Sequence, residues 1–133
     1  LNSDIDLNTY KTELLENGVI QYAKDKNNRI YAYYYWLFPN IMMNFYSWGL
    51  SVNIIEPIAI NKTKISFLSY PIKGKEQPQD TDSSLVKVEK EDQEIVINIQ
   101  KGISTESYER GRYSAEHEKG VHHFHRLISE NLS

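Results

Sequence analysis

The chain has 133 residues, of which 40% are apolar and 25% charged, the size and make-up of one globular domain able to bury a core. A formal charge of −3 supplies no basic patch and argues against nucleic acid or an anionic membrane as a partner. The lack of cysteine excludes a disulfide, a thiolate zinc site or a cysteine-held cluster within these residues.

Leu1 to Asn17 is polar, without a long periodic run, and reads as a connector. From Gly18 the pattern changes to short apolar runs broken by turn signals. Val19–Ala23 and Ile30–Trp36 flank an Asn-rich turn and predict a hairpin. After Phe38-Pro39-Asn40, the runs Ile41–Trp48, Leu50–Ile58 and Thr63–Tyr70 predict three further strands. Short links with no helix between them predict an antiparallel meander. Lys73–Asp82 is a solvated loop.

Ser83–Ile103 reads as one amphipathic helix with Gly102 near its end, and Leu85, Val88, Ile95 or Val96, Ile99 and Ile103 trace its apolar stripe. Asp92 fills the gap in that stripe at the right phase, whereas Glu91 is turned about 100° away. A carboxylate offered to the interior is costly unless protonated, paired or bound to a cation. Asp92 is therefore either a buried acid paired with a tyrosine or arginine, or a metal ligand or acid/base group facing a cavity. After a polar excursion, Glu118–Asn131 predicts a short terminal helix with Val121, Phe124, His125, Ile128 and Leu132 on one side. Strands followed by helices give an α+β class.

His117, His122, His123 and His125 cluster beside Glu116 and Glu118, but the spacing in HEKGVH is not that of the zinc-protease motif. The expectation is that His125 packs on the core and the other three cap or solvate. No Gly-rich phosphate loop occurs, and Ser107, Ser114 and Ser129 lack the setting of a nucleophile. The aromatic residues between Tyr31 and Trp48 suit either a sheet face packed on a helix or the wall of a ligand cavity.

Trp36-Leu37-Phe38-Pro39-Asn40, Asn44, Tyr46, Glu91-Asp92, Gln100-Lys101-Gly102, Tyr108, Gly111-Arg112, Ser114 and Val121-His122-His123-Phe124-His125 together resemble the catalytic domain of Rieske-type ring-hydroxylating oxygenase alpha subunits. The likeness is to the branch containing choline, carnitine and glycine-betaine monooxygenases. It implies a helix-grip (START-like) fold, an antiparallel sheet curled around a long helix. It also implies mononuclear Fe(II) held by two histidines in an H-x4-H pair and by the aspartate that maps onto Asp92.

The family's paired histidines lie upstream of the sheet, and no histidine precedes His117 here; the x4 spacing of His117 and His122 is taken as coincidence. The chain thus reads as the C-terminal part of a catalytic domain, residues 1–133 as a single domain, inactive alone. Its opening on Leu1 agrees with a fragment. For the whole protein the resemblance implies a 2Fe-2S Rieske cluster in an N-terminal domain, NAD(P)H acting through a separate reductase or ferredoxin, and a homotrimer. It implies O2 and a small-molecule substrate, aromatic or quaternary ammonium, hydroxylated or N-demethylated. Tyr35, Asn44, Tyr46 and Trp48 are the candidate cavity residues, with Asn44 and Tyr46 to orient a polar end. The rival is a non-catalytic helix-grip module binding an apolar ligand. With no transmembrane-length stretch and no signal-peptide pattern, the expected setting is soluble and cytoplasmic.

Overall fold

The structure, a computed structural model, describes residues 10–25, 27–75 and 93–132. They fall into two compact units, residues 93–112 and residues 10–75 with 113–132, and each is taken by itself. The larger holds six strands: β1 (Lys11–Leu15), β2 (Gly18–Lys24), β3 (Ile30–Leu37), β4 (Ile41–Tyr46), β5 (Gly49–Ala59) and β6 (Lys62–Pro71). They form one antiparallel sheet in simple sequence order. Residues 93–103 are helical (α1) in the smaller unit, and α2 (Lys119–Asn131) belongs to the larger. The class is α+β, as expected.

The central hairpin forms where Val, Ile, Tyr and Trp side chains fit a pleated surface. Asp25 closes its turn by accepting from the backbone N–H groups of Asn27 and Arg29, both at 2.9 Å, and from Arg29 Nε. Asn28 takes the left-handed φ of 63° that asparagine tolerates. The Phe38-Pro39-Asn40 link is stapled to β5 through Asn40. Its side-chain amide donates to the Ile55 carbonyl at 2.9 Å, and Ile55 N donates to its backbone carbonyl at 3.0 Å.

Three expectations need correction. The supposed connector before Gly18 contains β1, paired residue for residue with β2 from Lys11↔Tyr22 to Leu15↔Gly18. A polar edge strand has no alternation to betray it, because only one neighbour and part of one face are covered. The third predicted strand stops at Tyr46, and Trp48 sits in the turn before β5, buried at 7% exposure.

The third correction is the buried side of α2. His123 and Leu127 are buried, while Val121, His125 and Leu132 are exposed. Two stripes compete on this helix and share Phe124 and Ile128. The winner is the one that brings Gly120 against the sheet, where a Cβ would stand 3.5 Å from Val19 Cγ1. His123 then donates from Nε2 to the Leu15 carbonyl at 2.8 Å and accepts on Nδ1 from Arg126 at 3.0 Å. Phe124 meets the Trp36 ring edge-on at 4.8 Å.

Within the smaller unit α1 ends one residue past Gly102. Ser104 Oγ donates to Gln100 O and Thr105 Oγ1 to Gly102 O, both at 2.7 Å, satisfying carbonyls of the last turn. Asp92 and the earlier residues of its predicted stripe lie outside the described residues. Among the described residues no helix is long and apolar enough to cross a membrane.

Candidate functional site

Side chains alternate between the two faces of a strand, and directly paired residues share a face. The register therefore sorts the whole sheet. Thr12 pairs with Gln21, Gln21 with Tyr34, Tyr34 with Asn44, Asn44 with Ser51 and Ser51 with Ser69. One polar residue from each of the six strands thus lies in a single row across the sheet. All but Ser69 are at least partly buried. The row is on the face that α2 covers in part, since Val19 and Trp36 share it. Half-buried polar groups need hydrogen-bond partners, so a polar row here is not what core packing alone would select.

Protein partners meet part of that need. Gln21 Nε2 donates to Thr12 Oγ1 at 3.1 Å. Beside the row on the same face, Asn53 Oδ1 is buried with no hydrogen-bond partner among the described residues. Tyr34 has the Tyr10 ring at 6.4 Å and the edge of Tyr46 at 6.1 Å. Tyr46 in turn stacks on Trp48 at 5.2 Å with 9° between the ring planes. Burial first, then the neighbouring phenols of Tyr46, Tyr10 and Tyr31, push the Tyr34 hydroxyl far above its ordinary value of 10.0. Tyr34 is therefore a neutral hydroxyl throughout the ordinary pH range, able to donate as well as accept.

Of the four expected cavity residues, Asn44, Tyr46 and Trp48 are brought together on or beside this face. Tyr35 is not. It pairs with Ile20 and Met43 on the opposite face and meets Phe45 edge-on at 5.7 Å. That face carries an open depression of about 570 Å³, walled by Tyr31, Tyr33, Tyr35, Met43 and Phe45 and ending at Tyr46 and Ser47. It is apolar, and an apolar sheet face is the ordinary surface for packing against another element. The polar face makes the stronger site, because specific recognition rests on placed hydrogen-bonding groups. Sequence reasoning did not single out Tyr34. The unbroken run of four aromatic residues Tyr33-Tyr34-Tyr35-Trp36 gives no alternation from which to read its face.

The histidines separate. His123 is buried in the contacts already given, His122 and His125 lie against the Tyr113 ring at 5.1 and 5.6 Å, and Tyr113 O–H bonds His125 Nδ1. His117 Nε2 is 4.0 Å from Glu116. Among the described residues no three His, Cys, Asp or Glu side chains converge as a metal site. The described residues therefore do not by themselves fit the mononuclear iron that the resemblance implies.

Comparison with known proteins bears on the whole chain. Choline monooxygenase, chloroplastic, from Amaranthus tricolor is 30% identical over 98% of this chain and 32% of its own length. The Arabidopsis thaliana enzyme of the same name is 31% identical over 99% of this chain and 34% of its own. The chain thus spans about a third of the length of these curated relatives. The crystal structure of the quaternary ammonium Rieske monooxygenase CntA with inhibitor MMV12 superposes with a TM-score of 0.78 at 19% identity, covering 98% of this chain and 40% of that one. The ring hydroxylating alpha subunit (catalytic domain) family matches residues 4–133, and the chain belongs to that family.

Proposed function

We propose that the chain is the C-terminal part of the catalytic domain of a Rieske non-haem iron monooxygenase that uses dioxygen to oxidise a quaternary ammonium substrate. The observation that carries this is the match of the catalytic-domain family over residues 4–133. Support for the substrate class comes from relatives named choline monooxygenase and from the fold shared with a quaternary ammonium enzyme. The polar row fits such a substrate better than a bare arene. Aromatic faces attract a cation, as the Trp48 and Tyr46 rings would, and Asn44 can orient a polar end.

The fold class is helix-grip (START-like), and Asp92 is the anionic iron ligand. The paired histidines come from elsewhere in the longer protein, as does the 2Fe-2S cluster. NAD(P)H through a reductase or ferredoxin supplies electrons, the full-length form is a trimer, and its setting is the cytoplasm. Support for Asp92 is its place in the stripe that continues through Ile95, Ile99 and Ile103 and its match to the family's Glu-Asp pair.

The experiment is iron content and turnover of the full-length protein. Asp92→Ala is expected to lose most of its mononuclear iron, measured by metal analysis after the Rieske iron is accounted for, and Glu91→Ala to retain it. Equal iron in the two variants refutes Asp92 as a ligand. Failure of the wild type to oxidise choline, carnitine or glycine betaine refutes the substrate class.

A further inference from the structure

The histidines of α2 are the sequence feature that the proposed reaction leaves unused. His122 and His125 stand three residues apart on one face of the helix. Both lie against the Tyr113 ring, His122 edge-on at 5.1 Å and His125 at 5.6 Å. The Tyr113 hydroxyl is bonded to His125 Nδ1. A neutral imidazole carrying its proton on Nε2 offers the Nδ1 lone pair to that hydroxyl, so the phenol donates and the histidine is a base in place. Tyr113 is 47% exposed, open to small molecules in solution. Tyr22 makes a contrast, because its hydroxyl donates to the Glu13 carboxylate at 2.9 Å and a carboxylate is a weaker base than imidazole.

A phenol resists oxidation when the electron leaves alone, because a strongly acidic phenol cation results. It yields more readily when a base takes the proton as the electron departs. We propose that Tyr113 and His125 form a redox-active pair that reduces a one-electron oxidant at the protein surface. The oxidant gains one electron from the Tyr113 ring, the phenol O–H bond breaks, and the proton forms an N–H bond at His125 Nδ1. A neutral tyrosyl radical and an imidazolium remain. A one-electron reductant of the ascorbate class returns the electron, and His125 returns the proton to the phenol oxygen. His122, packed on the same ring, holds Tyr113 in place for the exchange. The chemistry of the pair does not depend on the substrate class proposed above. In an oxygenase it gives oxidising equivalents that escape turnover a reversible end.

The test is photochemical oxidation of the full-length protein, as isolated and without substrate or electron donor, by ruthenium(III) tris-bipyridine generated in a light flash. Tyrosyl radicals are captured with a nitroso spin trap, and adducts at each tyrosine are read by peptide mass spectrometry. His125→Ala is expected to lower the adduct at Tyr113 by at least about tenfold while leaving that at Tyr22 within about twofold of wild type. Imidazole added to His125→Ala should restore the Tyr113 adduct, which a mere loss of packing would not allow. A wild-type yield at Tyr113 in His125→Ala without imidazole, or no recovery with it, overturns the pair. So does a wild-type protein in which Tyr113 forms no adduct.

Discussion

Burial and the neighbouring phenols act in the same direction at Tyr34, and both favour the neutral phenol. Its folded-state pKa is raised above the unfolded value of 10.0. The sign follows from proton binding: above about pH 10 the unfolded chain releases this proton while the folded protein keeps it. Stability from Tyr34 is therefore fully present below pH 10.0 and is lost as pH rises through that value toward the folded-state pKa. Denaturant unfolding at several pH values between about 8 and 11 should show wild type losing stability more steeply than Tyr34→Phe at the alkaline end. Parallel curves would mean that the phenol is not held neutral by its surroundings. The other tyrosines are present in both proteins, so the difference between them isolates this residue. Asp25 has the opposite sign. Backbone N–H donation from Arg29 leads the effects that lower its pKa below 3.8, and its contribution is lost only as pH falls through the lowered value.

For α2 the question is which stripe docks. Leu127 is buried at 4% exposure and Val121 is 46% exposed, although both are apolar residues at helical spacing from Phe124. Leu127→Ala removes a packed side chain and leaves a cavity, at a cost of about 2–4 kcal/mol. Val121→Ala should cost less than about 1 kcal/mol. Chemical denaturation of the two variants checks the order, and a larger loss from Val121→Ala would mean that the helix docks on its other side. The sequence could not decide this, because Phe124 and Ile128 belong to both stripes. The tie is broken by features without hydrophobic signal: Gly120, which lets the helix approach Val19, and His123, which finds the carbonyl of Leu15. A histidine that ends up buried at 3% exposure reads in the sequence like its exposed neighbours. The strands of the sheet were more legible, since β-branched and aromatic runs separated by Asn and Gly mark β2 to β6 directly. Only β1, with neither signal, was missed.

Across the whole sheet, legibility ends at the assignment of faces. The candidates Tyr35, Asn44, Tyr46 and Trp48 were chosen by residue type, and strand pairing divides them. A shift of one residue sends a side chain to the other face, and within Tyr33-Tyr34-Tyr35-Trp36 every position is aromatic, so composition carries no phase. The polar row is invisible in the sequence for a related reason: its six members are spread from Thr12 to Ser69 and meet only through the register of five strand pairs. The division makes a prediction at the scale of the whole molecule. Residues on opposite faces of one sheet cannot both orient the same substrate, so Asn44 and Tyr35 should fail differently in the full-length enzyme. Asn44→Ala removes an amide from the polar row and should raise the KM for the quaternary ammonium substrate proposed above by roughly five- to tenfold. Tyr35→Ala removes a ring packed against Phe45 and should lower stability by about 2 kcal/mol or more, with KM within about twofold of wild type. Steady-state kinetics paired with thermal unfolding separate the two effects. A raised KM in Tyr35→Ala with unchanged stability would move the substrate to the aromatic face and leave the polar row with a purely structural role.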